Sequence, residues 1–216
     1  MCELKQEQKS DGPVFIVGMN GSGTTVLLDH LDSHSQVYGF PEETRVLPYF
    51  LLRFAESTSA TSSSRRYQMW KEICSSFPFW TVNGERPLNV PGDWEELANG
   101  PAQVFDYIMC QFACQEGKRI WCEKTPMHAN DISLLAREFP DARFIHIIRD
   151  GRDCAASFAR RWHYDPFVTI FRWKQTVRNA RRQAERSAWN RYAEVRFEEL
   201  TENPERSLRQ LCEFLN

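Results

Sequence analysis

A chain of 216 residues, 42% of them hydrophobic, is long enough to bury a substantial core within one domain. Its 27 basic and 29 acidic side chains leave a formal net charge of −2, which excludes the broad basic field of a nucleic-acid or anionic-membrane binder. No run approaches the roughly 18 apolar residues of a membrane span, and the polar stretch from Met1 to Gly12 holds no signal-peptide core, so the expected location is cytoplasmic. Seven cysteines are an odd number, without the paired spacing of a zinc site or a disulfide framework. Cys74, Cys110, Cys114, Cys154 and Cys212 stand among apolar neighbours and read as buried free thiols, which suits a reducing compartment.

In chain order, Val14-Phe-Ile-Val17 predicts a strand over 13–17. It breaks into Gly18-Met-Asn-Gly-Ser-Gly-Thr24-Thr25, and the periodicity of Val26, Leu27, Leu28 and Leu31 then predicts a helix over 23–32. A turn through Ser35 and a corner at Gly39–Pro41 lead to Glu42-Glu43-Thr-Arg45 and a helix over about 46–56. The stretch from Ser57 to Ser64 is of low complexity and is the best candidate for a mobile loop. Residues 65–100 carry Trp70, Phe77, Phe79, Trp80 and Trp94 between short helices and prolines; such residues are core by default, although they could line a pocket for an aromatic or carbohydrate ligand. A helix over 101–116, strand 119–123, helix 130–139, strand 143–148, helices 152–160 and 167–189, strand 192–197 and helix 204–215 complete the chain. Strands alternating with helices predict an α/β fold: a P-loop-like three-layer sandwich with a central parallel sheet flanked by helices, one domain over 1–216.

Two segments point to anions. Gly18 and Gly23 fit the P-loop spacing G-x-x-x-x-G-x-[ST], except that Thr24 stands where the lysine belongs. In triphosphate-hydrolysing P-loops that lysine reaches the outer phosphates, and the hydroxyl residue after it holds magnesium. Without it, the loop amides and the hydroxyls of Ser22, Thr24 and Thr25 still wrap a terminal phosphate at the positive end of the helix. The bland alternative is a plain glycine turn. The second segment is the strand Phe144–Ile148, followed by Arg149-Asp-Gly-Arg-Asp153 and Ser157. Arg149, Arg152, Arg160 and Arg161 gather where a buried strand ends, whereas the run Arg172, Lys174, Arg178, Arg181 and Arg182 reads as a solvated helix face. Arg149 could instead pair with Asp150 or Asp153, and Ser157 could cap a helix or face solvent. Two anion sites call for a ligand with two separated phosphates. In open α/β sheets ligands bind beyond the carboxyl ends of the strands, and the ends here are Gly18, Glu123-Lys124 and Arg149.

The motif pair resembles that of the sulfotransferases that use 3′-phosphoadenosine 5′-phosphosulfate, PAPS. In that family an S-G-T-T loop binds the 5′-phosphosulfate, and an Arg and a Ser eight positions apart bind the 3′-phosphate. By that resemblance the cofactor-binding residues are Gly21, Ser22, Gly23, Thr24, Thr25, Arg149 and Ser157, with Arg161 added from the same basic group. Asn203-Pro204 before the last helix also matches, so the resemblance covers nearly the whole chain. Glu42-Glu43-Thr-Arg-Val-Leu-Pro48 resembles the tyrosylprotein sulfotransferases and their bacterial relatives, in which the second Glu is the catalytic base. Trp121-Cys-Glu-Lys124-Thr-Pro126 resembles the strand end that carries their catalytic lysine.

The resemblance implies an in-line displacement at sulfur. Glu43 would take the proton of the acceptor oxygen, and Lys124 would neutralise charge on the bridging oxygen as 3′,5′-ADP leaves, with no metal required. Glu42 reads as favourable charge at a helix N-terminus; His128 is the first alternative base, ahead of His30 and His34. Gly21 departs from the family, which carries Arg or Lys there; loss of that cation should weaken transition-state stabilisation, and an arginine that fits the loop should restore it. The chain ends at Asn216 inside its last helix, where the family continues with a loop over the cofactor. The implied acceptor is a small molecule, a glycan or a tyrosyl group. Two other readings stay open: a nucleotide kinase or NTPase with Asp150 at a magnesium site, and a catalytically weak PAP-binding relative.

Overall fold

The computed structural model describes residues 12–55, 63–83, 88 and 100–215. Five parallel strands form its sheet: β1 (Val14–Gly18), β2 (Val37–Gly39), β3 (Ile120–Lys124), β4 (Arg143–Ile148) and β5 (Tyr192–Arg196). Their order is β2-β3-β1-β4-β5. Register pairs Phe15 with Glu123 and with Phe144, and Ile16 with Lys124 and with Ile145. Every residue of β1 and β3 is buried, as a parallel sheet covered on both faces requires.

Successive strand residues point to opposite faces, and the core divides accordingly. Phe15, Val17, Trp121 and Phe144 face one cluster, whose other walls come from α2 (Leu47–Ala55), α3 (Ser63–Ser75), α4 (Phe77–Asn83), α5 (Pro101–Gln115), α6 (Ile132–Glu138) and α8 (Pro166–Ser187). Val14, Ile16, Cys122, Ile145 and Ile147 face the other, closed by α1 (Thr24–Asp32), α9 (Phe197–Glu202) and α10 (Pro204–Leu215). The three-layer α/β architecture expected from the alternation of elements is present. A remaining helix, α7 (Gly151–Trp162), starts directly beyond β4.

The order of strands positions the site. After β1 the chain crosses by α1 towards β2, on one side of the sheet; after β4 it crosses by α7 and α8 to β5, on the other. The two connections leave opposite faces, so a crevice opens between the ends of β1 and β4, the place where such sheets take their ligands.

Three elements differ from the sequence expectation. Val37–Gly39 pairs with Ile120–Cys122 as an edge strand where only a turn was expected, because three residues are too few to show a two-residue period. The expected helix over 130–139 is the shorter α6, and a 3-10 turn that starts at Pro126 and runs to Asn130 precedes it. Phe197–Glu202 forms a short helix where the strand was extended to 197. The Ser-rich stretch lies outside the described residues except for Ser63 and Ser64, which open α3. Trp70 and Phe79 are core, as expected; Trp94 and the side chains of Phe77 and Trp80 lie outside the description.

Candidate active site

The loop after β1 turns on the bond from the Ser22 amide to the Met19 carbonyl, 3.0 Å, and passes through two glycines of positive φ, +83° at Gly21 and +96° at Gly23. A Cβ on Gly23 would stand 2.3 Å from the Phe197 ring, so this position requires glycine on both counts. Gly23 is the N-cap of α1 and supplies no side-chain cap, which leaves the first amides of the helix without an intrahelical partner. Ser22 and Thr24 are buried and Thr25 is exposed. The Ser22 hydroxyl is buried without a hydrogen-bond partner among the described residues.

Arg149, at the end of β4, meets this loop. Its guanidinium donates to the Gly21 carbonyl at 3.3 Å and lies 4.6 Å from the centre of the Phe197 ring. It stands 3.7 Å from Asp153, a loose pairing, and its buried Nε–H has no partner among the described residues. Trp173 steadies the turn by donating to the Arg149 carbonyl at 3.0 Å. Ser157, two turns into α7, flanks the loop too: a Cβ on Gly21 would stand 3.5 Å from its hydroxyl. Arg149, Ser157 and the glycine loop are thus one site. Arg161 is exposed at the end of α7, 5.5 Å from the Trp162 ring, and among the described residues no contact joins it to the loop.

The two unpartnered donors, Ser22 Oγ and Arg149 Nε, are what an anion would satisfy. The loop amides, Ser22, Thr24, Arg149 and Ser157 therefore fit a ligand carrying two phosphates. Phe197 is the residue that the sequence reading missed: it packs on Gly23 and stacks on Arg149 at once. Its only signal was its place immediately after a strand end.

Lys124 ends β3, nearly buried, and its ammonium lies 3.3 Å from Glu43 Oε1. The other Glu43 oxygen accepts from Arg45 at 2.7 Å. Two candidates 81 residues apart in sequence thus form one ion pair at the sheet edge. Glu42 does not cap a helix: α2 begins at Leu47, and Glu42 lines a separate cavity with Asp32 and Lys118. His128 is buried and its Nδ1 is 3.1 Å from Glu123, so it is not an available base. His30 and His34 are exposed on the far end of α1 and beyond it.

Glu123 is fully buried and accepts from the Thr44 amide at 3.1 Å and from the Thr125 hydroxyl, besides its contact with His128. Burial works against its charge, but the His128 ring and these hydrogen bonds outweigh it, and its pKa lies below the ordinary carboxylate value. Asp150 is the N-cap of α7 and is gripped by Arg152 at 2.7 Å, a pair that holds its pKa down at about 2. Both of its oxygens pair with Arg152 in this structure.

A cavity of about 600 Å³ opens beside the loop. Gly18, Met19, Asn20 and Arg45 form its floor. Phe158 and Trp162 of α7, Tyr164 of the linker after it and Phe171 of α8 supply its aromatic wall. Among the described residues these aromatic side chains, rather than the buried Trp70 and Phe79, are the candidates for an acceptor pocket. Arg172 lines the same cavity, over the Tyr164 ring, while Arg178, Arg182 and Arg186 are the solvated face expected of this helix. Of the cysteines expected to be buried free thiols, Cys74, Cys110 and Cys154 are free and at least partly buried, with burial raising each thiol pKa; Cys212 is free but exposed, and Cys114 is disulfide-bonded. Among the described residues no helix is long and apolar enough to cross a membrane.

Over 214 residues the chain is 27% identical to protein-tyrosine sulfotransferase 1 of Danio rerio, covering 94% of this chain and 52% of that protein. It is 28% identical over 210 residues to protein-tyrosine sulfotransferase A of Caenorhabditis elegans, covering 94% and 49%. The chain spans about half the length of the curated relatives it matches. Among solved structures, the sulfotransferase domain from the curacin biosynthetic pathway superposes with a TM-score of 0.63 at 20% identity, covering 95% of this chain and 74% of that one, a likeness of fold. The model of the sulfotransferase family matches residues 13–216, and with the glycine loop, Arg149 and the Glu43–Lys124 pair in place, the chain belongs to that family.

Proposed function

We propose that the protein transfers a sulfuryl group from PAPS to a hydroxyl acceptor and releases 3′,5′-ADP. The observation that carries this reading is the convergence of a two-ended anion site with a carboxylate–ammonium pair on one sheet edge. PAPS supplies an activated sulfuryl group and a stable leaving group. The chain supplies alignment and charge, which dominate transfer reactions of this kind.

The amides of residues 22–25 and the hydroxyls of Ser22 and Thr24 hold the 5′ end of the donor, and Arg149 and Ser157 hold its 3′-phosphate. Glu43, paired with Lys124 and Arg45, accepts the proton of the acceptor hydroxyl. Lys124 neutralises negative charge as the bond to the leaving group breaks. The acceptor lies in the aromatic cavity beside Arg45 and presents its hydroxyl towards Glu43. Tyrosyl groups are the acceptors named for the curated relatives, and a phenol suits the aromatic wall; a small metabolite or a glycan is the alternative.

The test is sulfate transfer from PAPS to a panel of tyrosyl peptides, phenols and sugars, with titration of PAP against ATP. Tight PAP binding without ATP binding, together with turnover of one acceptor class, supports the reading. Binding of PAP without turnover favours a second reading, a nucleotide-binding relative of weak activity, for which Gly21 in place of a cation is the specific observation.

A further inference from the structure

Glu123 has no exposed surface and takes no part in the chemistry proposed above. It precedes Lys124 in β3, so the two side chains leave opposite faces of the strand. Each nevertheless ends on the segment before α2: Lys124 reaches the Glu43 carboxylate, and Glu123 reaches the amide of Thr44, the next residue. Two consecutive strand residues thus grip two consecutive residues of a segment about 80 positions earlier in the chain.

The grip is built like a support. One Glu123 oxygen takes both the Thr44 amide and the Thr125 hydroxyl, and the other faces His128. His128 is itself fixed edge-on to Phe15 of the central strand, with ring centres 6.4 Å apart. Thr44 has no exposed surface, whereas Glu43 and Arg45 on either side of it turn outward and pair with each other. The Thr44 amide is therefore the anchored point about which the proton acceptor is held.

We propose that Glu123 is a positioning residue: locked by Thr125 and His128, its carboxylate pins Thr44 and so holds Glu43 against Lys124. This rests on the reading of Glu43 and Lys124 as the reacting pair. Displacing a reacting group by about 1 Å costs on the order of 10²-fold in rate, so a loosened segment should cost turnover without disturbing the donor site across the sheet edge.

Two measurements on the full chain test it. Hydrogen–deuterium exchange should show residues 42–47 exchanging about tenfold faster in Glu123→Ala than in the parent, with residues 22–32 unchanged. In kinetics, Glu123→Gln should lower kcat by about 10–100-fold at unchanged PAP affinity. Added to Glu43→Gln it should lower kcat no further, because it acts through that residue. Unchanged exchange at 42–47 overturns the clamp, and a full additional loss in the double variant overturns action through Glu43. If Glu123→Ala does not fold, Thr125→Val, which removes one donor to the same carboxylate, carries the exchange comparison. A parent chain that turns over no acceptor counts against sulfuryl transfer, and the exchange result then decides the clamp alone.

Discussion

Replacing Glu43 by glutamine keeps the side chain's length and one hydrogen-bond acceptor but removes its charge and its ability to take a proton. General bases contribute about 10²–10⁴-fold, which is about 2.7–5.4 kcal/mol of transition-state stabilisation at 1.36 kcal/mol per decade. The stability cost should be much smaller. The Glu43 side chain is 22% exposed and its Arg45 partner 71%, so that pair is a largely solvent-screened one worth at most about 1 kcal/mol. A loss of that size moves the melting temperature by only about 2–4 °C in a chain of this length. The nearly buried Lys124 loses its partner, yet three donors on a flexible stem can still reach the new amide oxygen. The assay is initial rate at saturating PAPS, beside calorimetric PAP affinity and a melting curve. The expected result is a fall in kcat of at least about 10² with PAP affinity within a factor of about two. Full kcat in Glu43→Gln with any acceptor refutes the assignment.

Gly23→Ala should weaken PAP binding, because it places a Cβ 2.3 Å from the Phe197 ring at φ +96°; calorimetry should show partial recovery when Phe197→Ala is added, since only the clash is relieved. Gly21→Arg should lower PAP affinity rather than raise the rate as the family pattern suggested. Its left-handed backbone costs about 1–2 kcal/mol with a side chain, and the new Cβ would lie against Ser157. A rate increase in that variant would contradict this. Stability should also fall on acidification between pH 6.5 and about 4. Burial of His146 lowers its pKa to about 4, so in that window the unfolded chain binds a proton that the folded one refuses. The loss amounts to about 3 kcal/mol at most, and melting curves of His146→Gln should lack that share of it.

Strands β1 and β4 were legible because they are apolar runs ending in glycine or followed by charge, whereas the three-residue edge strand β2 was not. The loop glycines and Arg149 were legible for the same reason, since a strand end fixes where they lie. Contacts made across long sequence separations were not. Glu123 looked like one more charge at the end of a strand, yet one of its partners is the amide of Thr44, 79 residues earlier. Phe197 carries no motif, because its role is a shape match to a glycine that has no side chain. His128 looked like a spare base, and only the buried carboxylate facing it assigns it elsewhere. The aromatic cavity combines α7 and α8, whose corner at His163 in a left-handed conformation brings Phe158 and Phe171 to one wall. Helical periodicity within either element alone does not show that.

PAP affinity of Arg149→Ala tests the central claim, a two-ended anion site joined across β1 and β4. Removing a charged hydrogen bond costs about 1.5–3 kcal/mol, so calorimetry should show PAP binding weakened about 10–150-fold. The parent should prefer PAP over ATP, and 5′-AMP, which lacks the 3′-phosphate, should be nearly indifferent to the substitution. Unchanged PAP affinity in Arg149→Ala, or an equal loss for 5′-AMP, would contradict the account.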